Sequence, residues 1–236
     1  MQVTTLPATP RQLRERMRIG ELSGLTSGVA PGHVQANLVV LPAEQAFDFL
    51  LFCQRNPKPC PLLEVVEAGS TEPRRMAPGA DLRTDLPRYQ VYEFGELVEE
   101  PADIAHVWRD DMVAFLLGCS FTFESALIER GIPLPHFEQG KNIAMFITNI
   151  QTEPAGVFSG PMVVSMRAIP RDMLVTAVQT TSRFPSVHGT PVHIGDPADI
   201  GIKDILRPEY GDAIALEEGK VPVFWGCGVT PQEAIL

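Results

Sequence analysis

The chain has 236 residues, a formal net charge of −10, and 44% hydrophobic and 20% charged residues, the composition of an ordinary globular protein. That acidity argues against nucleic acid as the main partner, because phosphate binding needs a basic surface. No apolar run reaches the roughly 18 residues of a membrane span, and the first twenty residues carry four arginines but no apolar stretch of a secretory signal.

In chain order, Thr9-Pro10 followed by RQLRERMR predicts a capped helix with proline at its first position. A loop of small residues spans 23–32; it lacks GK[ST] and precedes a strand, so it is not a P-loop. Residues 34–41 (VQANLVVL) predict a buried strand. Residues 42–55 predict a helix, with Ala46, Phe47, Leu50 and Leu51 at helical spacing. Residues 62–66 predict a second strand, 68–87 a loop, and 89–97 a strand or hairpin. Residues 103–117 predict a helix that buries Ile104, Val107, Trp108, Met112, Phe115 and Leu116, with a further turn or two over 122–129 that Gly131 and Pro133 end. Strands follow at 142–151 and 162–168, then a helix from Pro170 to about Thr181, then short strands at 192–194, 213–216 and 221–225. Thr230-Pro231-Gln232-Glu233 has the form of a helix start, with threonine as cap. Only three apolar residues follow it, as in a chain cut short.

Alternating strands and helices predict an α/β (mixed α+β) fold. The division expected is a larger three-layer α/β domain, 1–130 and 190–236, with a smaller β-β-α subdomain, 131–189, inserted into it. Cys53, Cys60, Cys119 and Cys227 lack CxxC pairing, which suits a reduced, cytoplasmic protein.

The stretch CQRNPKPCP places Arg55, Asn56 and Lys58 in a proline-stiffened loop between two apolar elements. An arginine fork and a lysine point charge suit a carboxylate; the bland reading is a pair of surface cations. The irregular stretch SRFPSVHGTPVHIGD offers Arg183 as a second clamp and His188 as a general acid or base. His188, His193 and Asp196 make a poor metal site, since positions five apart in extended chain face opposite ways. Glu124, within FTFESALI, is expected to be half-buried with a raised pKa and to serve as a reserve acid. Asp110 and Asp111 read as a helix-surface ion pair with Arg109. Cys227 is a candidate thiol of depressed pKa beside a helix start, weighed against plain burial. Backbone amides from Gly226 to Val229, Gly228 included, are candidate anion donors.

Taken together, the blocks GVAPGHVQANLVVLP, LLFCQRNPKPCPLLEV, DLRTDLPRYQVY, WRDDMVAFLLGCSFTFESAL, GPMVVSMRAIP, SRFPSVHGTPVHIGDP and VPVFWGCGVTPQ resemble the D-glutamate cyclase family, whose bacterial members carry the description "putative hydro-lyase". The resemblance runs from about residue 20 to 233. It implies a cytoplasmic α/β enzyme that removes water from D-glutamate to give 5-oxo-D-proline. Family members continue past TPQ with a segment containing His and Gly. The expected partner is a small acidic substrate, with neither membrane nor nucleic acid and with a homo-oligomer left open. The reaction involves no redox step, so no cofactor is expected. The alternatives are a protein that binds a small carboxylate without turnover, and a lyase or hydrolase for another small acid.

Overall fold

The computed structural model describes residues 9–235. Its elements are α1 (Pro10–Arg18), β1 (Ala36–Pro42), α2 (Ala43–Arg55), β2 (Leu62–Val66), β3 (Val91–Glu93), β4 (Glu96–Glu99), β5 (Met112–Gly118), α3 (Glu124–Glu129) and α4 (Pro135–Glu138), followed by β6 (Met145–Gln151), β7 (Pro161–Pro170), α5 (Leu174–Thr181), β8 (His193–Ile194), β9 (Lys220–Gly226) and α6 (Val229–Ile235). The fold is mixed α/β with antiparallel sheets. One sheet has the order β1-β5-β2, a second is the β3–β4 hairpin, and a third has the order β6-β7-β9-β8.

β5 is the centre of the first sheet, paired from Met112 to Gly118 with β1 and from Ala114 to Leu117 with β2. This corrects the helix expected over 103–117. The run MVAFLLG is apolar at nearly every position because both faces are covered. Phe115 and Leu117 pack on Phe49, Phe52 and Cys53 of α2, while Ala114 and Leu116 pack on Leu82 and Trp108. A continuous apolar run fits either period, and its strand partners lie far away in sequence. Arg109 and Asp111 do form an ion pair (2.9 Å), but on the turn before β5 rather than on a helix. The stripe on α2 is also displaced from its expected phase. Phe49, Phe52 and Cys53 are buried, whereas Phe47 is 71% exposed and Leu50 is exposed as well.

The third sheet packs Val164, Met166, Ala168 and Phe224 against Ile200, Ile202 and Ile214 on one face. On the other, Ile169, Val223 and Trp225 meet Phe123, Leu127 and Ala177. β7 pairs with β9 over seven positions, from Val164–Gly226 to Pro170–Lys220. Strands from both sides of the expected 189/190 division therefore share one sheet. Residues 213–216, expected as a strand, join no ladder among the described residues; Ile214 is buried in the core of the third sheet. Thr230 lies inside α6 rather than capping it. Its hydroxyl accepts from Val163 N–H (2.9 Å) and donates to Val163 O (3.2 Å), which fastens α6 to β7.

Candidate functional site

β5 ends at Gly118 against Ser186 and Val187, and the chain then turns through Cys119 and Ser120 into α3. Gly118 is required here because a Cβ would lie 2.1 Å from Ser186 O. This junction encloses a buried charged centre. Arg167, an arginine in the middle of the apolar strand MVVSMRAIP, is buried with its guanidinium 4.8 Å from the Phe123 ring centroid and 5.4 Å from that of Trp225. It donates to Glu124 Oε1 from Nη2 (2.7 Å) and Nε (3.2 Å), to Ser165 Oγ (3.2 Å) and to Ser120 Oγ (3.1 Å). Glu124 also accepts from His136 Nε2 (2.8 Å) and from Ser27 Oγ (2.7 Å).

Glu124 thus departs from expectation in sign. Burial pushes its carboxyl up, but Arg167, then His136 and Ser27, outweigh burial and hold it at about 2. It is an ionised, fully paired carboxylate, not a reserve acid. The thiols depart as well. Burial pushes Cys227 up to about 11 despite the nearby amides of Val229 and Gly228, and Cys119 up to about 12.

His188 lies beside this centre, 1% exposed, at the left-handed φ of 80°. Its Nδ1 is 3.0 Å from Lys58 O. A carbonyl only accepts, so Nδ1 carries the proton and Nε2 a lone pair. That Nε2 is buried and has no hydrogen-bond partner among the described residues, a property shared with Gln35 Oε1. Burial, assisted by the Arg167 charge, outweighs the raising effect of the Lys58 and Gly118 backbone and lowers His188 to about 4, so it is neutral at pH 7. Gly226 allows the approach, since a Cβ would fall 2.9 Å from Lys58 O and 3.3 Å from His188 Nδ1. Gly226→Ala is therefore expected to displace His188 and the Lys58 backbone and to lower the melting temperature by a few degrees, which a melting curve checks.

The remaining predicted residues divide. Lys58 belongs with His188: its backbone holds the imidazole, while its ammonium reaches Thr190 O and Thr190 Oγ1. Burial lowers its pKa. Asn56 is buried and ties the end of α2 to the loop after β6, donating to Glu153 O (2.8 Å) and accepting from Glu153 N–H (2.8 Å). Arg55 is exposed and donates to Pro154 O. Arg183 is exposed too, and no hydrogen bond joins either guanidinium to His188 among the described residues. Gly228 packs against Asn37, whose Nδ2 leaves no room for a Cβ (1.8 Å). His193 turns to Asp196 O (2.7 Å), away from His188. Sequence reasoning passed over Arg167, His136, Ser27, Ser120 and Ser165. A lone arginine inside an apolar strand was the available signal, because such a charge is buried only when paired.

Both titrations act on stability in one direction. Between about pH 6.5 and 4 the unfolded chain protonates His188 while the folded one does not, and between about 4.5 and 2 the same holds for Glu124. Stability therefore rises with pH across both windows. Denaturant titrations at stepped pH are expected to show a fall beginning below about 6.5 and steepening below about 4.5.

The D-glutamate cyclase family model matches residues 113–236. A protein of Stutzerimonas stutzeri described as "Putative hydro-lyase" is 61% identical over 224 residues, covering 95% of this chain and 84% of its own length. One from Geobacillus kaustophilus with the same description is 61% identical over 226 residues, 96% of this chain and 86% of that one. One from Bordetella pertussis is 56% identical over 235 residues, 100% of this chain and 85% of that one. A solved nitrogen repressor-like protein from Methanococcus jannaschii aligns over 98% of this chain and 89% of its own, with a TM-score of 0.41 and 11% identity, too loose a likeness to carry an argument. With identity near 60% over almost its whole length, the chain belongs to the D-glutamate cyclase family.

Proposed function

We propose that the chain is a hydro-lyase that closes D-glutamate on itself, giving 5-oxo-D-proline and water, with His188 as the proton-handling residue. The observation that carries this reading is the buried Nε2 of a neutral His188, which has no hydrogen-bond partner among the described residues. Ring closure forms one C–N bond between the α-nitrogen and the γ-carboxyl carbon and breaks one C–O bond. The nitrogen starts as an ammonium and ends as an amide N–H, so it loses two protons; the departing oxygen gains two. One group that accepts at nitrogen and donates at oxygen can serve both ends.

Nε2 suits that exchange because Nδ1–H is fixed on Lys58 O, which sets the tautomer. Lys58 supplies the carboxylate contact: an ammonium has three donors, and Thr190 provides two acceptors. Its charge stabilises the oxyanion of the tetrahedral intermediate. The Arg167–Glu124 pair touches no substrate in this scheme; it fixes the β5–α3 turn against the sheet. The small substrate and a cytoplasmic setting follow from the family reading.

The test is incubation with D- and L-glutamate followed by chiral analysis for 5-oxoproline. The D-product from D-glutamate is expected. Tight binding of D-glutamate without product would replace the enzyme with a small-acid binding protein, and product from another small acid alone would move the activity within the lyases.

A further inference from the structure

On the reading of Lys58 and His188 as the substrate site, we infer that Thr190 is a further substrate-binding residue: its hydroxyl donates to the carboxylate that the Lys58 ammonium holds. Two short segments grip each other here. His188 Nδ1–H donates to Lys58 O (3.0 Å), and Lys58 Nζ donates in return to Thr190 O and to Thr190 Oγ1 (3.0 Å). Each segment thus places a backbone carbonyl for a side chain of the other.

The backbone that carries Thr190 is fixed from both sides. Gly189 N–H donates to Phe184 O (2.9 Å), and Val192 N–H donates to Phe224 O (2.7 Å). His188 and Gly189 take the left-handed φ values of 80° and 60°, and Pro191 restricts the conformation of the threonine before it. The hydroxyl therefore keeps its place beside the ammonium with little freedom left to lose on binding. Thr190 is exposed and Lys58 half-buried, so a small acid reaches both from solvent.

The count of donors sets the ligand. A lysine ammonium has three N–H donors and no acceptor, and a threonine hydroxyl has one donor. Thr190 takes two of the three, and no described residue is bonded to the third. Because Thr190 Oγ1 accepts from Nζ, its own proton turns away from the lysine, and it is bonded to no acceptor among the described residues. Two free donors and one positive charge therefore stand on atoms 3.0 Å apart. The two oxygens of a carboxylate accept side by side from such a pair, and its charge balances the ammonium. Thr190 follows His188 by two residues, which keeps these donors on the loop that carries the imidazole.

Titration calorimetry with glutarate tests this, because glutarate has both carboxylates of glutamate but no amine and cannot cyclise. The unmodified protein is expected to bind it. Thr190→Val keeps the shape and the backbone carbonyl, and is expected to weaken binding by about tenfold or more, the usual cost of a lost hydrogen bond to a charged group. Thr190→Ser is expected to restore it. With D-glutamate, Thr190→Val is expected to raise KM rather than lower kcat. Lys58→Gln removes the ammonium, and Thr190→Val in that chain is expected to weaken glutarate further, read by ligand-observed NMR. Equal affinity there with and without the Thr190 change would make Thr190 a tether for the lysine and overturn the proposal. So would unaltered glutarate binding by Thr190→Val, a loss that Thr190→Ser does not restore, or no glutarate binding by the unmodified protein. Product from D-glutamate with no effect of Thr190→Val removes Thr190 and keeps the cyclase reading. Glutarate binding that depends on the Thr190 hydroxyl, without product from D-glutamate, keeps Thr190 and removes the cyclase reading.

Discussion

Replacing Arg167 with methionine is expected to lower the free energy of unfolding by roughly 3–5 kcal/mol, the usual consequence of stranding a buried charge. Glu124 would keep His136 and Ser27 but lose both guanidinium bonds, with Ser120 and Ser165 also losing a donor. Methionine fills much of the volume between Phe123 and Trp225, so the loss reports charge rather than a cavity. The Arg167→Met/Glu124→Met pair is expected to regain most of the stability, since a buried pair replaced together by apolar groups is often neutral. Urea unfolding of the four proteins in a double-mutant cycle measures the coupling. A double variant no more stable than Arg167→Met would show that Glu124 is not the stranded partner.

His188→Asn is expected to reduce turnover by about 10²–10⁴-fold, the contribution typical of a positioned acid–base group. Asparagine is the informative replacement. It tolerates the left-handed φ of 80° better than other side chains, and its amide can donate to Lys58 O in place of Nδ1–H. It lacks a titratable nitrogen at the Nε2 position. The fold should survive, and with the imidazole gone the loss of stability between about pH 6.5 and 4 should disappear while the one due to Glu124 remains. A residue that only packs the loop would show the opposite pattern, a lower melting temperature with turnover intact.

The parts of the fold legible in the sequence were those with local signatures. α2 opens after Pro42, and β1, β2 and β9 are apolar runs bounded by proline, glycine or polar turns. β5 was misread because its covering layers, α2 on one face and Leu82 with Trp108 on the other, come from distant segments. The same cause misdirected the site. Glu124 stands in an apolar stretch of sequence, but the sign of its shift depends on Arg167, 43 residues away. Arg55 looked like a clamp in a stiff loop; the structure shows that loop holding residues 153 and 154 through Asn56 and Arg55, and leaves Lys58 beside His188. What sequence spacing does convey is that His188 precedes a glycine in an irregular stretch, the form in which a strained, buried imidazole can be placed.

The most direct measurement is the initial rate of 5-oxo-D-proline formation from D-glutamate by the unmodified protein and by His188→Asn, run side by side near neutral pH. Product from the unmodified protein, with a loss of at least about a hundredfold in the folded variant, is the result predicted. Equal rates in the two proteins would contradict the role given to Nε2, and the absence of product from both would contradict the cyclase reading itself.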